Sequence, residues 1–166
     1  MRRFIIAVLI AVLLLALSVS AAFADSPHFI SANASLSGAN LNVSFKEAGL
    51  GNNALITYNA TANATATYVC VNGGNKNPSA SNKETVSGPV SATGTFSSGK
   101  NGTISQTLTL SPPSAGSFSC PSGQKLELAS ASYTDVAITD TTNGVTESIP
   151  GTFSTGCLLP NVRGAC

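Results

Sequence analysis

From Ile56 to Cys70 the chain alternates with a period of two. Ile56, Tyr58, Ala60, Ala62, Ala64, Ala66, Tyr68 and Cys70 share one parity; Thr57, Asn59, Thr61, Asn63, Thr65, Thr67 and Val69 share the other. Successive strand side chains point to opposite faces, so this run predicts a half-buried antiparallel strand with an apolar face and a Thr/Asn face. Straight, it would reach about 50 Å at ~3.3 Å per residue, longer than an ordinary strand. A bend or bulge is expected near Ala60–Ala64, where the side chains are small, letting one run serve two sheets.

Other runs obey the same rule. Leu41, Val43 and Phe45 alternate with Asn42 and Ser44, and Ile104, Leu108 and Leu110 with Thr103, Thr107 and Thr109. Leu126 and Leu128, then Val136 and Ile138, share a parity. Gly, Asn and Pro clusters at 38–40, 49–53, 99–102 and 111–116 punctuate them, and Asn143-Gly144 between "AITDT" and "VTESI" signals a type I′ hairpin. Past the N-terminal segment no helical period survives. The pattern predicts an all-β domain: a single antiparallel β-sandwich of seven or eight strands, immunoglobulin-like in arrangement. The absence of Trp argues against a true antibody-type domain.

The first residues have the layout of a secretory signal peptide. Arg2 and Arg3 precede an apolar run from Phe4 to Leu17, and Ala22-Phe23-Ala24 fits the A-x-A exit. The run is short for a membrane span, which needs about 20 residues. The reading is a signal peptide at 1–24 and one secreted domain at 25–166, closed by a tail at 155–166. No Cys follows the apolar run for lipid attachment, and "LLPNVRGAC" offers no apolar anchor, so the product is expected to be released. From residue 25 onward six basic side chains face seven acidic ones. Such a charge-poor surface provides no electrostatic footprint for nucleic acid or an anionic membrane.

Four cysteines in a secreted chain predict two disulfides out of three possible connectivities. Cys70 ends the apolar face of its strand and Cys120 shares parity with Phe118, while Cys157 and Cys166 lie together in the tail. The pairs expected are Cys70–Cys120 and Cys157–Cys166. Metal binding fits poorly, because no Cys-x-x-Cys spacing exists and His28 is the only histidine.

Candidate chemistry is sparse. A nucleophile–base site needs a histidine held by its surroundings, and His28 is expected in a mobile N-terminus. Glu84, Glu127, Asp135, Asp140 and Glu147 show no spacing that singles out an acid–base pair. Asp135, Asp140 and Asn143 carry oxygen ligands, but the calcium-loop pattern is absent, and Asp140 and Asn143 are expected to shape the hairpin turn. Asn-x-Ser/Thr sites at Asn33, Asn42, Asn59, Asn63 and Asn101 are glycan acceptors only in a host that uses them. The Thr rows of 57–67 suit a repetitive solid in principle, though they read first as the solvent face of a strand. No catalytic residue, metal or cofactor is assigned.

The stretch "YVCVNGGNKNPSASNK" at 68–83 is the remaining candidate. Asn72, Asn75, Lys76, Asn77, Asn82 and Lys83 could hydrogen-bond a sugar or a peptide, and the same composition also serves a plain strand connection. Gly73-Gly74 is expected to supply the positive φ of a sharp strand exit. Its Cys, Asn72, Gly73-Gly74, Pro78, Ala80 and Asn82-Lys83 resemble a motif of small secreted actinobacterial proteins. "EAGLG" at 47–51 and the Cys120-Pro121 pair extend the similarity to about residue 155. The resemblance implies a secreted β protein and brings no activity or ligand with it; the tail lies outside it. The function expected is that of a non-catalytic extracellular module for surface association or protein interaction. The alternative is a glycan-binding module using loop 72–83. The partners implied are an extracellular protein or a cell-surface glycan.

Overall fold

The computed structural model describes residues 26–76 and 82–166; the predicted signal peptide and Asn77 lie outside them. Among the described residues eight strands follow in chain order: β1 (His28–Ser37), β2 (Asn40–Ala48), β3 (Leu55–Val71), β4 (Lys83–Ser97), β5 (Thr103–Leu110), β6 (Lys125–Asp140), β7 (Val145–Ile149) and β8 (Phe153–Ser154). They build two antiparallel sheets. One has the order β1-β2-β5, the other β4-β3-β6-β7, with β8 also paired to β6. Leu41, Val43 and Phe45 of the first sheet and Tyr58, Ala60, Tyr133 and Ile138 of the second meet in one core. The expectation of an all-β, two-sheet domain holds.

The alternation of 56–70 is a strand, but it does not bend between two sheets. β3 pairs with β4 in unbroken register from Leu55↔Ser97 to Val69↔Lys83 and stays in one sheet throughout. The irregularity falls on its other neighbour. Between Thr61↔Ala137 and Asn63↔Thr134, β6 carries the extra residue Asp135, and between Thr67↔Ser130 and Tyr68↔Leu128 it carries Ala129. An extra residue in one strand reverses its inside–outside parity beyond that point. Val136 and Ile138 therefore face the core, Ala131 and Tyr133 face it on the opposite parity, and Leu128 returns to the first. The two predicted runs, 126–128 and 136–138, are the ends of one strand whose middle is out of phase with both.

β1 and β4 are strands that the alternation alone did not single out. His28, expected in a mobile terminus, is the first residue of β1, and its Nδ1 lies 2.7 Å from the Ser26 carbonyl oxygen. Packing explains the order: the Ser26 backbone lies so close to Gly49 that a Cβ there would fall 2.3 Å from the Ser26 oxygen. β1 has its own extra residue, Ile30, between Phe29↔Glu47 and Ser31↔Lys46. Phe29 consequently turns into the core while Ile30 is left 54% exposed.

The second sheet is longer than the first and overhangs it. β2 begins and β5 ends where Tyr133 reaches across, its hydroxyl donating to the Ala39 carbonyl at 2.7 Å. Beyond Ala64, the partner of Tyr133, β3 continues for roughly another 23 Å at ~3.3 Å per residue with no facing strand among the described residues. Each face of this overhang acquires its own cover. On the inner face lies the 111–124 connection, where the Tyr68 hydroxyl donates to the Pro113 carbonyl at 2.8 Å and Cys70 is bonded to Cys120. The outer face is covered by the tail, in a second apolar cluster of Val69, Ala129 and Ala165 flanked by Val71, Leu159 and Val162. The tail is closed by Cys157–Cys166. Both predicted disulfides are present, one for each cover. They point to an oxidising compartment, and no helix among the described residues is long and apolar enough to cross a membrane.

Candidate functional site at the stapled end

The candidate loop leaves β3 at Val71 and folds on itself at once. The Asn72 side-chain oxygen accepts the N–H groups of Gly74 (3.0 Å) and Lys76 (3.1 Å), while its backbone N–H donates to the Lys76 carbonyl at 3.0 Å. An Asn side chain standing in for backbone acceptors is a common way to close a turn. The left-handed residue of this turn is Asn75, with φ 53°. Gly73 and Gly74 were expected to take that role and do not; neither has a positive φ, and a Cβ on Gly73 would meet nothing within 4 Å. Asn tolerates the left-handed region better than other L residues, so the turn can place its reversal at Asn75.

The tail docks on this turn. Arg163 donates its backbone N–H to the Asn75 carbonyl at 3.1 Å, forming a parallel bridge between Lys76 and Arg163. Between turn, tail and the start of β6 lies an open cleft of about 440 Å³, lined by Val71, Asn72, Asn75, Lys125, Glu127, Leu159 and Val162 among others. Its floor is apolar and its rim carries amides and one charge of each sign.

The six candidate residues do not form one site. Asn72 and Asn75 line the cleft, and Lys76 is exposed at the bridge. The Asn82 amide donates to the Gln124 side-chain oxygen at 3.1 Å, which ties the far end of the loop to the 111–124 connection. Lys83 lies on the other side of the tail, in a hollow beside Thr67, Thr85, Cys157 and Cys166. Asn77 lies outside the described residues. Lys125, Leu159 and Val162 carried no expectation from the sequence, and Glu127 figured there only as one of five scattered acids. The apolar Leu159 and Val162 between two cysteines were the available sign that the tail packs against something.

The outer face of the second sheet is a field of hydroxyls satisfied among themselves. Thr57 bonds Thr95 at 2.9 Å, Thr65 bonds Ser87 at 2.9 Å, Thr67 bonds Thr85 at 3.2 Å and Thr139 bonds Thr146 at 3.0 Å. Cross-strand Thr and Ser pairs of this kind stabilise a sheet. Asp135 interrupts the field, its Oδ2 accepting from the Asn63 amide at 2.9 Å. Asp140 instead points inward and is fully buried. The two acids lie on opposite faces of β6 and cannot share an ion. Among the described residues no three His, Cys, Asp or Glu side chains are grouped to hold a metal.

Acids do meet inside the core. Glu47 continues the inward parity of Leu41, Val43 and Phe45 and is 0% exposed. Tyr58 and Asp140 are directly paired on β3 and β6 on the facing sheet. Burial pushes the Glu47 carboxyl above the ordinary carboxylate range; the Tyr58 hydroxyl and His28 offset part of this, and the charge of Asp140 adds to it. Tyr58 is likewise raised by burial and by Glu47. It sits amid aromatic rings, with Phe45 at 4.4 Å, Phe96 at 6.2 Å and Phe29 at 6.3 Å between centroids.

Compared with protein-family models, with curated proteins and with solved structures, the chain matches none.

Proposed function

We propose that the chain is a secreted, non-catalytic β-sandwich module that associates with an extracellular protein or a surface through its stapled end. The observation that carries this reading is the double cover of the overhang. Two disulfides and two backbone-bonded segments hold the 72–76 turn, the tail and the start of β6 in one arrangement around an open cleft. A preorganised loop loses little entropy on binding, which is the main gain available to an interaction surface of modest size. The buried acids favour a non-catalytic role, because Glu47 and Asp140 have no access to a substrate. Secretion, a cleaved signal peptide and kinship with the small secreted actinobacterial proteins belong to the same proposal.

An immunoglobulin-like arrangement is also part of it. Taking β1, β2, β3, β4, β5, β6 and β7 as A, B, C, C′, E, F and G gives A-B-E facing C′-C-F-G. That order supports the reading, with a fourth strand on the longer sheet and no strand D among the described residues.

Glycan binding at the same end is the second reading, favoured by the apolar floor of Val71, Leu159 and Val162 beneath the polar rim of Asn75, Lys125 and Glu127. A panel of glycans, cell-wall fractions and common secreted proteases, probed with wild-type protein and a Lys125→Ala/Glu127→Ala variant, separates the readings. Retention by a protein or a glycan that the variant loses, at unchanged melting temperature, supports the stapled end as the contact. Reproducible turnover of any substrate would sink the non-catalytic role, and binding untouched by the variant would move the contact elsewhere.

A further inference from the structure

The core holds two carboxyl groups treated in opposite ways. Asp140 Oδ1 accepts the backbone N–H groups of Thr142 (2.8 Å) and Asn143 (3.0 Å), and its Oδ2 accepts from the Asn143 amide at 2.6 Å. Three N–H donors satisfy the oxygens of this carboxyl. Glu47 is equally buried, and neither of its oxygens makes a hydrogen bond of full geometry; nor does the Tyr58 hydroxyl, the one donor on β3 that faces it. An ionised carboxylate taken out of water with so little hydrogen bonding is costly enough that such groups neutralise instead. We propose that Glu47 is a neutral carboxylic acid in the folded protein, and that its burial makes the packing of the two sheets alkali-sensitive at the end where β1 begins.

The groups facing Glu47 leave it no better option. From β1 comes His28, from β3 Tyr58 and from β6 Asp140. The register neighbours on its own sheet are Phe29 and Ile104, which do not titrate. Across the core, β4 contributes Phe96 to the ring cluster, and Glu147 of β7 is exposed. His28 is the only basic group among them and is itself exposed, at the strand's first residue. Losing the Glu47 proton to water would put a second negative charge beside Asp140 in a pocket of aromatic rings.

The direction of the pH effect follows. Glu47 titrates higher in the folded chain than its ordinary value of 4.5, so above that value the folded state retains a proton that the unfolded state has released. Stability from this group is fully present below about pH 4.5 and is lost as pH rises through the folded titration point. Within that window the folding constant falls by up to about tenfold per pH unit. This is the reverse of ordinary acid denaturation, and it makes acidic surroundings the ones in which this end is held most firmly.

The test compares chemical denaturation of wild type and Glu47→Gln from about pH 4 to pH 9, with infrared spectra of the folded wild type at neutral pH. Wild type should lose stability with rising pH, and Gln, a neutral isostere, should remove that slope and be the more stable of the two at the alkaline end. The infrared spectrum should contain a protonated-carboxyl C=O stretch that disappears on unfolding, a readout that does not depend on the variant folding. Amide protection factors, corrected for the base catalysis of exchange itself, should fall first at 28–31 and 141–144 as pH rises. A wild type without the C=O band, or a Gln variant with an unchanged pH slope, would overturn the proposal. So would stabilisation of wild type by added calcium chloride that Glu47→Gln abolishes, since a cation would then neutralise the acid in place of a proton.

Discussion

The Tyr133 hydroxyl donates to the Ala39 carbonyl at 2.7 Å and lies 3.5 Å from that of Leu110. One side chain from the middle of the long sheet thus closes both the β1–β2 turn and the last residue of β5. It marks the boundary between the two-sheet body and the overhang.

Tyr133→Phe should leave the fold intact and lower its stability by about 1–2 kcal/mol. The ring is retained, while the Ala39 carbonyl loses its donor in a partly buried setting. Denaturant titration measures the loss. Exchange of the 37–41 amides should quicken more than that of β3. An unchanged midpoint would mean that water replaces the hydroxyl at no cost.

In the candidate loop, Asn72→Ala should cost about 1–2 kcal/mol, because its oxygen serves two backbone donors. Lys76→Ala should fall within about 0.5 kcal/mol, as exposed substitutions usually do. Asn75→Gly should be tolerated and Asn75→Val should destabilise, since a β-branched residue resists the left-handed region. Thermal melts of the four variants check the ordering. A larger loss for Lys76→Ala than for Asn72→Ala would contradict this account of the turn.

Replacing Cys157 and Cys166 together with Ser should free the tail while sparing the main core. Chain-entropy reasoning assigns roughly 3 kcal/mol to a loop this short. Val69 and Ala129 sit in the separate cluster that the tail covers, so hydrogen exchange should rise over 125–130 and 156–166 and stay slow at Tyr58 and Ile138. Uniform loss of protection would show instead that tail and body unfold as one unit.

Among the described residues, Asp135 is the only non-glycine residue with positive φ inside a strand, at 52°. Asp135→Gly should keep the extra residue at little cost, and Asp135→Val should lose about 1–3 kcal/mol to backbone strain. Deleting the residue should be worse than either, because every side chain from Val136 to Asp140 would then face the wrong way. Circular dichroism and melting curves distinguish the three.

Much of this architecture is legible in the sequence wherever parity is unbroken. Leu41, Val43 and Phe45 predict β2, and the same parity carried one step further places Glu47 in the core. Asp140 can be read inward from Val136 and Ile138 in the same way. β4 hides because its inward positions are Val86, Gly88, Val90, Ala92, Gly94 and Phe96, and the outward Pro89 interrupts the run. Small residues and proline suit an edge strand that pairs on one side only, and they erase the apolar signal. At Gly94 even a methyl would come 2.9 Å from the Leu108 side chain, a contact between sheets that no local pattern encodes. β1 and β6 conceal their phase behind Ile30, Ala129 and Asp135, because one extra residue reverses a parity without altering composition. The cysteine pairs were readable from position. The cleft between turn and tail was not, because it joins residues near 72, 125 and 160 that only the folded chain brings together.

Cys70–Cys120 also sets how far this molecule can be drawn out. The bond makes a closed ring of the chain between the two residues, which are 50 apart in sequence, and β4 and β5 lie within that ring. Held at its two ends and stretched until every strand has parted, the protein would still fall short of its full contour by roughly 170 Å from this ring alone, at ~3.4 Å for each residue the ring withholds. Until the bond is reduced, tension passes from Cys70 directly to Cys120 and leaves β4 and β5 slack. An unravelled copy is thus a shorter leash than its residue count suggests.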